Sequence, residues 1–318
     1  MRTCRSESQT SQSFPRDPDV VVAAATLTPG RIWWSAVRPA TLAASVAPVL
    51  AGTAVAIHEG GIRPAAGLGA LVVALAMQVG VNFANDYSDF VRGADTPRRV
   101  GPVRAASSGV VAPEQVRWAA LAAFGVAGAG GLALSLATDW RLLIAGAACL
   151  LAGWLYTGGP RPYGYIGLGE LFVFIFFGLV ATIGTVYVEA LRVTPLAVLA
   201  GCGIGFLATA ILVLNNLRDI ETDAATGKRT LATRIGRDRT LILLVLVVGA
   251  AFMVPILMFV LGFAGATVAL VLFAVPIAAM PVRTAFASRS GPSLVAALKQ
   301  MAAAEIAYAL LLTVGLLI

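Results

Sequence analysis

The sequence predicts an all-α, polytopic membrane fold, with about nine transmembrane helices around a central cavity open to the cytoplasmic side. Three observations point there. Hydrophobic residues make up 58 % of the 318-residue chain, and its mean hydropathy is +0.86. Charged residues make up only 12 %, about half the share of an ordinary soluble domain. The apolar residues run in long continuous windows rather than alternating, which excludes a transmembrane β-barrel.

Residues 1–30 are polar and mixed, and Val20–Ala25 is too short for a span or a signal core, so this segment reads as a mobile tail before a domain covering 31–318. Arg31-Ile32-Trp33-Trp34 then gives an interfacial anchor of basic and aromatic residues. A spanning helix needs about 20 predominantly apolar residues. Windows at about 40–57, 64–85, 118–137, 139–157, 166–188, 194–216, 240–262, 263–283 and 296–318 meet or approach that length. The fourth is the weakest, being short and flanked by Asp139 and Arg141.

The basic residues predict the orientation. With the N-terminus in the cytoplasm, twenty Lys and Arg fall inside and only Arg63, Arg141 and Arg192 fall outside, a strong positive-inside bias that also supports an odd number of spans. The same bias explains the net charge of +7 without nucleic acid as a partner. Cys4, Cys149 and Cys202 have no metal-ligand spacing, and His58 is the single histidine, which argues against thiolate or imidazole metal sites.

The acidic residues are few and clustered. Of sixteen, six lie in 86–95 and 219–223. The first cluster reads Asn82-Phe83-Ala84-Asn85-Asp86-Tyr87-Ser88-Asp89, then Asp95. The second reads Asn215-Asn216-Leu217-Arg218-Asp219-Ile220-Glu221-Thr222-Asp223. Each contains Asn-x-x-x-Asp at the end of an apolar window, and each opens into a basic loop. Residues four apart share a helix face, so Asn85 pairs with Asp89 and Asp219 with Asp223. The second and sixth windows run in the same direction, so both clusters end on the cytoplasmic side and are expected to face each other across one cavity. Opposed carboxylates need cations between them. Hard oxygen donors at this density suit Mg²⁺, which takes one or two carboxylates plus phosphate oxygens and water. Arg98, Arg99 and Arg104 follow the first cluster, and Lys228 and Arg229 the second, which adds the cations a diphosphate requires. The plainer reading, solvated charges at helix ends, does not explain two matched motifs with basic followers.

With these motifs the sequence resembles the UbiA-type family of intramembrane aromatic prenyltransferases, and most closely its 1,4-dihydroxy-2-naphthoate branch. The likeness covers most of the chain after about residue 35. It rests on Arg38-Pro39-Ala40-Thr41-Leu42, the two Asn-Asp clusters, Arg99-Val100-Gly101-Pro102-Val103-Arg104, Tyr156-Thr157-Gly158-Gly159-Pro160-Arg161-Pro162-Tyr163-Gly164-Tyr165, and Gly227-Lys228-Arg229-Thr230-Leu231-Ala232. One position departs from the family's Asn-x-x-x-Asp-x-x-x-Asp pattern: Gly93 stands where its second Asp is expected, with Asp95 two residues on. The naphthoate branch resembles this displaced form. Whether Asp95 or Asp86 completes the first metal site stays open.

The resemblance implies transfer of a polyprenyl group from polyprenyl diphosphate to 1,4-dihydroxy-2-naphthoate, with loss of CO₂ and diphosphate, giving demethylmenaquinone in menaquinone biosynthesis. It implies Mg²⁺ as cofactor, held by Asp89, Asp219 and Asp223 with Asp86 or Asp95. Lys228, Arg229 and Arg104 would stabilise charge on the leaving group. Asn85, Asn215, Asn216, Arg218 and Arg99 would bind substrate, and Tyr163 and Tyr165 would orient the acceptor or, equally, form an interfacial aromatic belt. The implied site is the inner or plasma membrane, with membrane lipid around the helices and the active site cytoplasmic.

Glu170 and Glu305 lie just inside apolar windows and are candidates as intramembrane acids, though both are close enough to the cytoplasmic ends to reach water. The residues leave two alternatives open. A relative acting on another aromatic acceptor, such as a 4-hydroxybenzoate-like ring, would differ in product. A transporter of an anionic substrate would usually place its site near the bilayer midplane on broken helices, whereas these charge clusters sit at one face.

Overall fold

A computed structural model of the protein describes residues 28–94, 101 and 103–318. Residues 1–27 of the expected tail, together with Asp95, Arg98 and Arg99, lie outside the described residues. Among the described residues the structure is helical and contains no strand.

The elements in chain order are α1 (Pro29–Val37), α2 (Ala43–His58), α3 (Pro64–Val91), α4 (Pro113–Ala137), α5 (Leu142–Leu155), α6 (Gly169–Ala190), α7 (Pro195–Arg218), α8 (Ile220–Ala225), α9 (Leu231–Val260), α10 (Ala266–Ala287) and α11 (Gly291–Leu317). Each of the nine apolar windows becomes a helix. Eight stretches are long and apolar enough to cross a membrane, the first running from α1 through α2. This is a multi-pass membrane protein. The fourth window yields α5, which has 14 residues and rises about 21 Å, less than the roughly 30 Å of hydrocarbon. α1 starts at Pro29, a residue suited to the first helical turn.

Boundaries depart from the apolar windows where polar residues continue a helix. Proline at the first position starts α4 at Pro113, and Gln115 Oε1 accepts from the Ala112 amide at 3.1 Å. α3 runs six residues past its window, to Val91, and so carries Asn82 to Asp89 of the first Asn-Asp cluster on regular helix. α9 starts nine residues before its window. Gly236, at φ 79°, breaks it, so Leu231–Ile235 is a separate turn, and the spanning part begins near the expected residue.

α7 is the most buried of the spans. In its most apolar stretch 72 % of residues are buried, against 22 % in α3, because a helix apolar all round packs on every side. α2, α9 and α11 pack on it in the main core through residues such as Leu207, Leu214, Leu244, Met258 and Leu312, and α10 packs on α9 and α11. α6 crosses α7 at glycines. A methyl group on Gly178 would lie 2.4 Å from Gly205 Cα, so the two backbones touch as in other membrane helix pairs built on small residues. At that crossing α6 widens into a π-helical stretch, Phe174–Val180. A second, smaller core of Ile32, Phe83, Ala105, Val116 and Phe124 joins α1, α3 and α4 to the loop ahead of α4.

Candidate functional site

A cavity of about 470 Å³ runs through the bundle. Along α3 alone its wall extends from Ala70 to Asp89, about 28 Å of helix at 1.5 Å per residue. Asn85, Asp89, Arg104, Asn215, Asn216, Asp219, Asp223 and Lys228 line its polar end. Away from them the wall is Val73, Met77, Leu132, Leu143, Phe176 and Val180, with glycines and alanines between.

Helical spacing sorts the first cluster. Asn85 and Asp89 both face the cavity, as residues four apart should. Asn85 accepts a hydrogen bond from Thr157 Oγ1 at 2.7 Å. Asp89 is 3 % exposed. Its Oδ2 pairs with Arg104 Nη2 at 2.8 Å and its Oδ1 accepts from the Tyr165 hydroxyl at 2.6 Å. Asp86 lies off that face and does not line the cavity. Its oxygens accept from the backbone amides of Ala105 and Ala106 at 2.8 and 3.2 Å. Of the two acids that the sequence left open for the first metal site, Asp86 is thus placed on the loop that carries Arg104, and Asp95 lies outside the described residues. Ser35 Oγ, donating to Val103 O at 3.1 Å, ties the same loop to α1.

Near neighbours contact the second cluster. Asp219 closes α7 and accepts from Arg218 Nε at 2.7 Å. Arg218 also donates to Asn215 Oδ1 at 2.9 Å, so it orients the cluster from within. The Asp223 amide bonds Asp219 O at 2.8 Å, which continues the helical turn and brings both carboxylates to the cavity. Lys228 Nζ lies 3.9 Å from Asp223 Oδ1. Arg229 is exposed and does not line the cavity, so its side chain is not where a charge-stabilising catalytic residue was expected. Its backbone amide bonds Tyr165 O at 3.0 Å.

Tyr165 joins the two clusters. Its hydroxyl is on Asp89, and Lys228 Nζ stands 5.0 Å from its ring centroid, with Arg92 at 5.6 Å. An Asp89–Tyr165–Lys228–Asp223 chain thus connects the tips of α3 and α8. Burial and the Asp89 carboxylate push the Tyr165 hydroxyl above the usual phenol range, so it stays a donor. Tyr163 has another role: its hydroxyl donates to Ala152 O at 2.8 Å, and its ring stacks on Phe172 at 4.0 Å, making part of the cavity wall.

Several wall residues were not selected from the sequence. Arg38, left-handed at φ 55° ahead of Pro39, lines the polar end. Asn82 Nδ2 holds this linker through Val37 O at 2.8 Å and Thr41 Oγ1 at 3.0 Å. Tyr156 and Thr157 also line the cavity. The Arg-Pro and Tyr-Thr-Gly-Gly runs mark these positions in the sequence, but the pairings that turn them inward lie tens of residues away. Glu170, already noted as an intramembrane acid, accepts from Asn216 Nδ2 at 2.9 Å.

Among the described residues no three of His, Cys, Asp or Glu converge as a ready-made metal cage. Separated hard carboxylates beside amide oxygens fit a cation that keeps water and completes its shell with substrate phosphate oxygens, as Mg²⁺ does.

The sequence matches the model of the UbiA prenyltransferase family over residues 45–315. It is 43 % identical over 281 residues to a Mycobacterium tuberculosis protein described as 1,4-dihydroxy-2-naphthoate octaprenyltransferase, covering 87 % of this chain and 94 % of that one. A Bacillus subtilis protein with the same description is 32 % identical over 289 residues, covering 91 % and 93 %. A solved UbiA homolog from Archaeoglobus fulgidus, described as bound to DMAPP and Mg²⁺, superposes with a TM-score of 0.60 at 15 % identity, over 89 % of this chain and 99 % of that one.

Proposed function

Because the chain belongs to the UbiA prenyltransferase family, we propose that it transfers a polyprenyl group from polyprenyl diphosphate to 1,4-dihydroxy-2-naphthoate, releasing diphosphate and CO₂. The long relatives of that description support the acceptor. The observation that carries the site is the side-chain link from Asp89 through Tyr165 and Lys228 to Asp223, at the polar end of a long apolar cavity. A diphosphate fits among the tips, and an isoprenoid tail fits the apolar wall.

In this reading Asp89, Asp219 and Asp223 hold Mg²⁺, which when bound neutralises diphosphate charge and makes it a better leaving group. Lys228, Arg104 and Arg38 face the leaving oxygens and stabilise the charge that develops there. The allylic C–O bond breaks and its electron pair leaves with diphosphate. The ring carbon bearing the carboxylate bonds to the allylic carbon. Loss of CO₂ returns a pair to the ring, so the product is the quinol form of demethylmenaquinone. Tyr156, Tyr163, Phe172 and Phe176 wall the reacting carbons and keep water from an electron-deficient allylic centre.

The twenty-to-three distribution of basic residues supports an orientation with the N-terminus and the tips of α3 and α8 cytoplasmic, in the plasma or inner membrane that this reading assigns. The direct test incubates purified protein with 1,4-dihydroxy-2-naphthoate, a polyprenyl diphosphate and Mg²⁺, and analyses the lipid by mass. A product heavier than the acceptor by one prenyl group less CO₂ is expected, and it should vanish with EDTA. Prenylation of 4-hydroxybenzoate in preference, or no diphosphate release, contradicts the reading.

A further inference from the structure

Glu170 opens α6, is 7 % exposed and is used by no step above. Its Oε1 accepts from Asn216 Nδ2 across helices, and its Oε2 is enclosed without a hydrogen-bond partner. A carboxylate at a helix start is favoured by the helix dipole alone, yet this one is turned onto the side chain of α7. Asn216 lines the cavity, three residues before Asp219 and so about 4.5 Å further from the tips. That depth is where the diphosphate zone meets the aromatic wall of Tyr156, Tyr163 and Phe172. With its amide nitrogen committed to Glu170, Asn216 has its carbonyl oxygen left, and no described group donates to it.

We infer that Glu170 is a positioning residue, which fixes the Asn216 side chain so that its carbonyl oxygen accepts a hydrogen bond from a ring hydroxyl of the aromatic acceptor. A carboxylate only accepts, so it admits a single orientation of the neighbouring amide. Without it, Asn216 is free to turn its nitrogen to the cavity and present a donor to a donor. The pair thereby selects a hydroxylated ring and sets its depth beside the allylic carbon.

The test is steady-state kinetics of the full chain, varying 1,4-dihydroxy-2-naphthoate at saturating polyprenyl diphosphate and then the reverse. Glu170→Ala is expected to raise KM for the naphthoate about tenfold, the upper size of one neutral hydrogen bond, and to leave KM for the diphosphate within about twofold. Glu170→Gln keeps a carbonyl that accepts from Asn216 and is expected to recover most of the affinity. Asn216→Ala should reproduce the Glu170→Ala profile. The double variant should be no worse than either, because a residue acting through another loses its effect once that partner is gone. Equal rises in both KM values, a loss confined to kcat, a Gln variant as impaired as Ala, or additive losses overturn the inference. If Glu170→Ala does not fold, Asn216→Ala with an unchanged naphthoate KM overturns it equally. The inference rests on the proposed acceptor. A wild-type protein that prenylates no naphthoate removes both readings, whereas normal wild-type turnover with an unchanged naphthoate KM in Glu170→Ala removes this one alone.

Discussion

The two aspartate clusters look alike in sequence, and different described groups surround them. The α3 cluster is fixed by distant elements: Arg104 and Tyr165 on Asp89, Thr157 on Asn85, and the amides of Ala105 and Ala106 on Asp86. In the α7–α8 cluster, Arg218 reaches Asn215 and Asp219, Lys228 lies beside Asp223, and Glu170 of α6 holds Asn216. A repeated motif therefore does not imply repeated roles. The first cluster organises the loops that close the polar end, and the second presents carboxylates on a turn beside its own Arg218 and Lys228.

That contrast predicts different responses to equivalent substitutions. Asp89→Asn and Asp219→Asn should each lower kcat/KM at least a hundredfold, since several kcal/mol of charge stabilisation depend on them. Both proteins should remain folded and inserted. Near-normal turnover in either would break the pairing of the clusters. Asp86→Ala should act on structure first. It strands two backbone amides at about 1–3 kcal/mol each, so Tm should fall and protease cleavage near residues 103–108 should increase, with activity lost through Arg104. Glu221, the acid of the second cluster that does not line the cavity, is exposed, so Glu221→Ala should leave Tm nearly unchanged; an equal loss of Tm in both would erase the contrast. Lys228→Ala should raise KM for the diphosphate about tenfold, whereas Arg229→Ala should stay within about twofold; the reverse order would show that the exposed arginine reaches substrate after all. Tyr165→Phe, the smallest change, removes one hydroxyl from Asp89 and should cost about three- to tenfold in kcat/KM.

The spans were legible because continuous apolar length is a local property, read without knowing what packs where. The pairing of Asn85 with Asp89 was legible for the same reason, since helical period fixes it. The role of Asp86 was not. It differs from Asp89 only by which side of α3 it occupies, and its partners lie 19 and 20 residues on. Arg229 beside Lys228 misled in the same way: adjacent cations look interchangeable until the Asp223–Lys228 turn sends one inward. The short α5 shows the limit of hydropathy, which counts apolar residues but not the turns that cut a helix at either end.

The central claim is that one diphosphate is gripped by both tips at once. Binding of a non-reactive polyprenyl thiodiphosphate with Mg²⁺, measured for wild type, Asp89→Asn, Asp219→Asn and the double variant, tests it most directly. Shared grip predicts that each single change removes most of the affinity and that the double change removes little more. Wild-type affinity in either single variant, or losses that simply add, would contradict it.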